Sequence, residues 1–261
     1  MISNTQIPMD RDTWRAWQDS FVNSLQIQSK DNKYSFNILN DQILKEFPRS
    51  QRVYVTGMKR SGNHAIINWM IKNCFESQVF INNAVRPVPD LVEVFRAGGL
   101  KPGLIDRVIC SFEQISLDFF SNNKVWYIVR DPYNWIASWI NHPHFNLNLV
   151  QKDIDTYIEN IEKSKNIILY NEWFKDQNYR NQLAYQLGFT NRDLGLDDVS
   201  RYGGGSSFDS YEFEGRGRSM DVLNRWKNEI ENEAYIEIVD KNKEKFKKVL
   251  DDLFKMRCPI D

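Results

Sequence analysis

The sequence contains no long hydrophobic run. A membrane-spanning helix requires about 18 or more consecutive apolar residues, and no such window occurs in the 261-residue chain. The first residues, Met1 to Thr13, also lack the apolar segment of a secretory signal peptide. We therefore expect a cytoplasmic protein that does not act at a membrane.

Cysteine is scarce, and neither sign of charge is in excess. The three cysteines, Cys74, Cys110 and Cys258, lack the C-x-x-C spacing of zinc and redox motifs. This favours buried thiols in a reducing compartment over a disulfide framework. Lys plus Arg number 34 and Asp plus Glu number 35, so no overall field attracts nucleic acid.

Short apolar runs alternate with helical patterns along most of the chain. This order predicts an α/β fold with a P-loop-type parallel sheet that is flanked by helices on both faces. The predicted strands are Val53–Thr56, Val79–Ile81, Val108–Cys110, Val125–Val129 and Ile167–Leu169. Near the C-terminus, Glu231 to Phe254 has apolar residues at helical spacing, which predicts an amphipathic helix with a structural role.

A glycine-bounded loop follows the first predicted strand. Four residues separate Gly57 from Gly62, and an amphipathic helical pattern begins at about Asn63. A strand, a glycine-bounded loop and a helix form a cradle in which N–H groups converge on an anion. The spacing is that of a nucleotide-triphosphate P-loop, but Asn63 and His64 stand where the Lys and Ser/Thr should follow.

The missing residues restrict the ligand of this loop. In an NTPase, the Lys contacts the β- and γ-phosphates and the hydroxyl holds Mg²⁺. A cradle without either group points to an anionic nucleotide that binds without Mg²⁺ and has no γ-phosphate. The cations lie within the loop instead, at Lys59 and Arg60.

A second motif follows the apolar run Lys124–Val129, which is typical of a strand buried on both faces. Next come Arg130, Asp131 as a helix N-cap and Pro132 at the first helical position. Ser138 lies eight residues after Arg130. An arginine fork suits a phosphate dianion, and a serine hydroxyl can donate to a further oxygen. The structural alternative is that Arg130 pairs with Asp131 or caps a carboxylate, and that Ser138 merely lines a helix.

These segments resemble the sulfotransferases that use 3′-phosphoadenosine 5′-phosphosulfate (PAPS). Residues 59–63, Lys-Arg-Ser-Gly-Asn, resemble the family's Pro-Lys-Ser-Gly-Thr loop, which binds the 5′-phosphosulfate. The Arg130…Ser138 segment resembles its 3′-phosphate motif. Residues 166–173 resemble its late strand and Tyr-Glu-Asp motif, of which only Glu172 is kept, and a helix ending at Leu187-Gly188-Phe189 follows.

The last matching segment lies near the C-terminus. Residues 215–218 (Gly-Arg-Gly-Arg) and 225–228 (Arg-Trp-Lys-Asn) resemble the family's Arg-Lys-Gly…Gly-Asp-Trp-Lys-Asn stretch, which closes over the nucleotide. The gap between the two halves is a few residues longer here, so Arg216 and Arg218 both stay candidates for the phosphate contact. The four segments follow the family's order over roughly residues 50 to 230.

The resemblance implies an enzyme that moves a sulfuryl group from PAPS to a hydroxyl or amine of a small-molecule acceptor. The product is PAP (3′-phosphoadenosine 5′-phosphate), and no metal is required. Residues 51–261 would form the sulfotransferase domain, and residues 1–50 an extension packed on the core as part of the acceptor site. The implied cofactor-binding residues are Lys59, Arg60, Ser61, Gly62, Asn63, His64, Arg130, Ser138, Arg216, Arg218 and Trp226.

The resemblance also assigns catalytic roles. Arg60 stands at the family's catalytic Lys position and would stabilise charge on the bridging and leaving oxygens. Lys59 would share that role or contact the 5′-phosphate. The family's histidine base is missing from residues 108–113, where Glu113 stands within one position of it. A carboxylate beside apolar Phe112 suits a general base, and some sulfotransferases use a glutamate. His64 is the rival base.

Other interpretations stay open. A P-loop kinase or NTPase-like phosphotransferase is opposed by the missing Lys-Ser/Thr, and a non-catalytic PAP-binding module would keep the cradle but lack the base. His142 and His144 flank Pro143 without carboxylate or cysteine partners nearby, which favours a lid or surface role over metal binding. The family's dimer motif is absent, so the oligomeric state is undetermined.

Overall fold

The structure is a computed structural model that describes residues 52–74, 78–81, 107–113, 117, 124–199, 206 and 208–254. The extension predicted for residues 1–50 lies outside these ranges, as does Cys258. Cys74 is buried, as the sequence predicts.

The described strands form one parallel sheet in the order β2-β3-β1-β4-β5. They are β1 (Arg52–Gly57), β2 (Gln78–Ile81), β3 (Arg107–Glu113), β4 (Val125–Val129) and β5 (Ile167–Leu169). All five predicted strands are confirmed. β3 continues to Glu113 rather than ending at Cys110, because residues 111–113 pair with residues 55–57 of β1. Glu113 is therefore the last residue of a strand and does not lie in the loop after it.

Helices and short helical turns connect the strands and follow the last one. They are α1 (Asn63–Asn73), α2 (Pro132–Ile140), α3 (Leu147–Lys163), α4 (Tyr170–Lys175), α5 (Gln177–Leu187) and α6 (Glu233–Val249), with 3-10 turns at Gly217–Ser219 and Arg225–Asn228 and a π-helical turn at Leu250–Phe254. The predicted end of α5 is confirmed, since Gly188 terminates it at φ 80°. In the described ranges, no helix is both long and apolar enough to cross a bilayer.

Two hydrophobic clusters cover the two faces of the sheet. Tyr127 and Val129 of β4 belong to the cluster that α2, α3 and α6 complete. Trp126 and Ile128, which alternate with them, belong to the cluster formed with α1 and α5. The strand is buried on both faces, as predicted, and the α/β fold is confirmed. With both faces covered, a ligand has access at the carboxyl ends of the strands.

The start of α2 is held by a buried carboxylate. The Asp131 side chain is 0% exposed and accepts a hydrogen bond from the Asn134 backbone N–H at 2.9 Å. It also accepts from the side-chain amides of Asn134 and Asn171, each at 2.9 Å. Pro132 occupies the first turn, so the predicted N-cap is confirmed. The cap fixes the position of Arg130 between β4 and α2.

We expect Asp131→Ala to lower the free energy of unfolding by about 2–4 kcal/mol. The substitution removes the N-cap and leaves the buried amides of Asn134 and Asn171 without their acceptor. Urea unfolding followed by tryptophan fluorescence measures the loss. The control is Asp155→Ala, because that carboxylate is 63% exposed and pairs with Lys245 at the surface. It should cost less than about 1 kcal/mol, and equal losses would contradict the role of the buried cap.

Candidate functional site

The β1–α1 loop, residues 58–62, lies at the carboxyl end of the central strand. Arg60 and Gly62 both have positive φ, at 70° and 84°. A side chain at position 62 would collide with Tyr170, since a Cβ atom there would lie 2.2 Å from the Cε2 atom of that ring. Gly62 is therefore required by its backbone conformation and by the close approach of Tyr170.

Four consecutive carbonyl oxygens, those of residues 57–60, accept hydrogen bonds from side chains outside the loop. The bonds run from Asn63 Nδ2 to Gly57 (3.4 Å) and Met58 (3.1 Å), from Trp135 Nε1 to Lys59 (2.7 Å) and from Arg130 Nη1 to Arg60 (3.3 Å). In a trans peptide, the C=O group of one residue and the N–H group of the following residue point in opposite directions. The N–H groups of Lys59 and Arg60 are thus turned to the other side of the loop, as an anion cradle requires.

The first turn of α1 completes this cradle. Its N-cap is Gly62, which offers no side chain to cap the helix. The hydroxyl of Ser61 is buried and makes no hydrogen bond within the described residues. A helix N-terminus carries partial positive charge and first-turn N–H groups without intrahelical acceptors. The loop and helix together form a surface suited to a phosphate.

Arg130 is the second cationic element of the site, and it is 3% exposed. Besides its bond to Arg60, its Nη2 donates to the carbonyl of Val222 at 2.7 Å, and its guanidinium lies 5.2 Å from the ring centre of Tyr170. Its Nε is buried without a hydrogen-bond partner in the described residues. In the described ranges, Arg130 takes part in no ion pair. The structural alternative, a pair with Asp131, is therefore not observed.

A stacked aromatic pair supports both cationic elements. The rings of Trp135 and Tyr157 lie 5.0 Å apart with an interplanar angle of 13°. Trp135 donates to the carbonyl of Lys59, and the Tyr157 hydroxyl donates to the carbonyl of Arg130 at 2.8 Å. The sequence interpretation did not include either aromatic residue, because a Trp or Tyr on a helix is usually a core residue.

Arg225 is a further buried cation that the sequence interpretation left out of the site. It is 8% exposed, and its Nη2 donates to the Asp209 carboxylate and to the Ser206 hydroxyl at 3.0 Å. Burial and then the nearby positive charge of Arg130 lower the pKa of its guanidinium. The sequence did offer one signal that Arg225 belongs near the site, because Arg225 precedes Trp226 in the segment that resembles the family.

Arg216 and Arg218, the two predicted phosphate ligands of the C-terminal segment, are both exposed. The Nη2 atom of Arg216 donates to the Glu212 carbonyl at 3.2 Å. Arg218 forms ion pairs with Asp193 at 3.3 Å and with Asp197 at 3.2 Å. Their described hydrogen bonds therefore run to neighbouring loops and not to the β1–α1 loop, and their role as ligands stays a prediction.

The other predicted ligands occupy the surroundings of the loop. Ser138 is buried on α2 at 2% exposure, His64 is half-buried in the first turn of α1, and Lys59 is exposed. Trp226 is half-buried, packs on the cluster that contains Met58, and donates its backbone N–H to Asn134 Oδ1 at 3.3 Å. The Asn63 side chain braces the loop through its bonds to two carbonyls. Their predicted ligand roles stay predictions.

Glu113, the predicted base, pairs with Gly57 in the sheet. Its backbone therefore lies beside the point where the β1–α1 loop begins.

His142 and His144 have their ring centres 5.4 Å apart. The described part of the chain holds no group of three or more His, Cys, Asp or Glu residues that could bind a metal ion.

Among solved structures, the chain is similar to the crystal structure of mouse sulfotransferase SULT7A1 complexed with PAP. The two share 14% sequence identity and a TM-score of 0.49, over 82% of this chain and 90% of that one. No protein-family model and no curated protein sequence matches the chain.

We expect Gly62→Ala to destabilise the fold by about 2–4 kcal/mol, because a left-handed backbone and a collision with Tyr170 both oppose a side chain there. Gly215→Ala is the matched control. Gly215 has a similar φ of 78°, but a Cβ atom there would have nothing within 4 Å. That variant should lose only about 1–2 kcal/mol in urea unfolding. Equal losses would show that Tyr170 does not restrict position 62.

Proposed function

We propose that the chain is a PAPS-dependent sulfotransferase that transfers a sulfuryl group to a hydroxyl or amine of a small-molecule acceptor and releases PAP. Arg130 is the observation that carries the proposal. It is a buried guanidinium with an orphaned Nε and no carboxylate partner in the described ranges. Burying an unpaired charge is costly, so a bound anion is its natural complement.

PAPS has two anionic groups at different positions, the 5′-phosphosulfate and the 3′-phosphate. They would match the two cationic elements of the site, the β1–α1 loop and Arg130. Its 5′-phosphosulfate would lie in the β1–α1 loop, against the first turn of α1 and the side chains of Lys59 and Arg60. Its 3′-phosphate would bind Arg130, with the Ser138 hydroxyl as a further donor. The loop lacks the Lys-Ser/Thr that serves a γ-phosphate and Mg²⁺, and PAPS has no γ-phosphate.

The transfer itself requires positioning and charge stabilisation. The acceptor oxygen or nitrogen forms a bond to sulfur while the bond between sulfur and the bridging oxygen breaks, and PAP leaves with that electron pair. Arg60 would stabilise the negative charge that develops on the leaving oxygen. Its guanidinium stays protonated, so it acts electrostatically and does not deliver a proton. Its φ of 70° and the bond from Arg130 to its carbonyl fix the backbone that carries this side chain.

A base must take the proton of the acceptor, and we assign this role to Glu113. Its backbone lies beside Gly57 at the start of the β1–α1 loop, where the phosphosulfate would bind. The family's histidine is missing from this strand, and a carboxylate can replace it as the base. His64, in the first turn of α1, is the rival.

Ligand binding tests the identity of the nucleotide. We expect PAP without metal to raise the melting temperature, because a ligand at 100 times its Kd adds about 2.7 kcal/mol to the free energy of unfolding. Mg-ATP should raise it much less. A larger shift with Mg-ATP would identify a P-loop phosphotransferase instead.

The matched ligand pair PAP and AMP, which differ by the 3′-phosphate, tests the role of Arg130. Arg130→Ala should weaken PAP binding by about 2–3 kcal/mol, because a charge-assisted contact is lost. AMP binding should change little. The ratio of the two affinities, measured by calorimetry, cancels any general effect on the loop. An equal loss for both ligands would make Arg130 a structural residue.

The base assignment is tested by Glu113→Gln. A positioned base typically contributes about 10²–10⁴-fold to the rate, so kcat should fall by that factor while PAP affinity is unchanged. The measurement is PAP release from PAPS with a panel of phenols and alcohols, and His64→Ala is the comparison variant. Retained turnover in Glu113→Gln with loss in His64→Ala would reassign the base to His64. A wild-type chain that binds PAP but turns over no acceptor would be a binding module.

A further inference from the structure

Two buried arginines share the region between β4, β5 and the C-terminal segment. Arg130 is 3% exposed and Arg225 is 8% exposed. Both contact the same short stretch of chain, since Arg130 Nη2 donates to the Val222 carbonyl at 2.7 Å and Arg225 Nη2 lies 3.8 Å from the Met220 sulfur. The stretch from 220 to 225 thus brings a second guanidinium towards the predicted 3′-phosphate site.

Of these two arginines, only Arg225 forms an ion pair with a carboxylate in the described ranges. Asp209 pairs with Arg225. Asp131 is buried nearby, but its oxygens accept from the amides of Asn134 and Asn171 and form no ion pair with either arginine. Within the described ranges, Arg130 therefore has no carboxylate within ion-pair distance. The one carboxylate that pairs with Arg225 there is that of Asp209.

The guanidinium of Arg225 is held with one edge left for a ligand. All of its described hydrogen bonds run through Nη2, to Asp209, to Ser206 and to the Met220 sulfur, and no bond from its Nε or Nη1 is present in the described residues. The ring of Phe208 lies 4.5 Å from its guanidinium carbon and fixes the plane of the group. A planar fork oriented in this way is suited to bidentate contact with a phosphate.

Electrostatics supports a shared anion. The positive charge of Arg130 adds to the effect of burial in lowering the pKa of Arg225. Burial raises the pKa of Tyr170, the charges of Arg130 and Arg225 oppose that rise, and the charge of Asp131 adds to it. The two guanidinium groups therefore lie close enough to act on the same ring, and like charges repel at low dielectric. A dianion bound between the guanidinium groups would convert that repulsion into attraction.

We propose that Arg225, and not Arg216 or Arg218, supplies the second guanidinium for the ribose phosphate of the nucleotide, opposite Arg130. This inference rests on the proposed function for the identity of the nucleotide. Arg216 and Arg218 are exposed and bonded to the Glu212 carbonyl and to the 193–197 segment. Arg225 is buried and oriented, and it lies near Arg130, which forms no ion pair in the described ranges. It thereby determines specificity for a nucleotide with a second phosphate.

The experiment compares PAP with AMP on the full chain by calorimetry. Arg225→Ala should weaken PAP binding about 10- to 100-fold, the loss of one charge-assisted contact, and change AMP binding less than about threefold. Arg225→Lys keeps the charge and loses the fork, so its loss should be intermediate. It also gives a readout if the alanine variant folds poorly. Arg216→Ala and Arg218→Ala should leave the PAP-to-AMP ratio unchanged.

Asp209→Asn separates a ligand role from a structural one. It removes the ion pair but keeps Arg225, so the PAP-to-AMP ratio should be kept or raised. If Asp209→Asn lowers the ratio as much as Arg225→Ala does, Arg225 acts through its ion pair and the inference is wrong. A selective loss in Arg216→Ala or Arg218→Ala with none in Arg225→Ala also overturns it. A wild-type chain that does not prefer PAP over AMP would overturn the proposed function as well.

Discussion

The hydrogen bonds that hold the carbonyls of the β1–α1 loop are the constraint on which the rest of the site depends. A loop of five residues has no regular ladder to fix its peptide planes. Here Trp135 Nε1 fixes the Lys59 carbonyl at 2.7 Å, and Arg130 Nη1 contacts the next carbonyl at 3.3 Å. With the oxygens held against the protein, the intervening N–H group is turned away from them. The orientation of this peptide group is thus fixed by contacts within the protein.

Arg130 links this loop to the C-terminal segment. One of its nitrogens contacts the carbonyl of Arg60 and another that of Val222, while its own carbonyl accepts from Tyr157. Burying a guanidinium does not by itself stabilise a fold, because removing the charge from water is costly unless that charge is paired. What Arg130 visibly does at the end of β4 is align two distant segments, through its bonds to the carbonyls of Arg60 and Val222.

The ion-pair network of Arg218 has a different role. Asp193 also binds Arg180, whose side chain is 5% exposed. Burial would raise the pKa of Asp193, but Arg180 and then Arg218 outweigh that effect and lower it. The same 191–198 segment contacts α1 through Asn73, which accepts from the Arg192 backbone N–H at 2.7 Å. Arg218 therefore anchors the C-terminal segment to the far end of α1, away from the N-terminus of that helix.

Local patterns in the sequence determined the five strands, the start of α1 at Asn63 and the Asp131 cap, because each depends on neighbouring residues. The glycine-bounded β1–α1 loop was also recognisable, since its glycines and cations all lie within residues 57–62. Only the tertiary structure decided that β3 reaches Glu113, because that depends on pairing with β1. It also decided that Tyr170 packs on Gly62, and that Trp135 braces Lys59 across 76 positions of sequence. Such contacts leave no periodic signal, since an aromatic residue that braces a loop resembles any other core residue until the chain is folded.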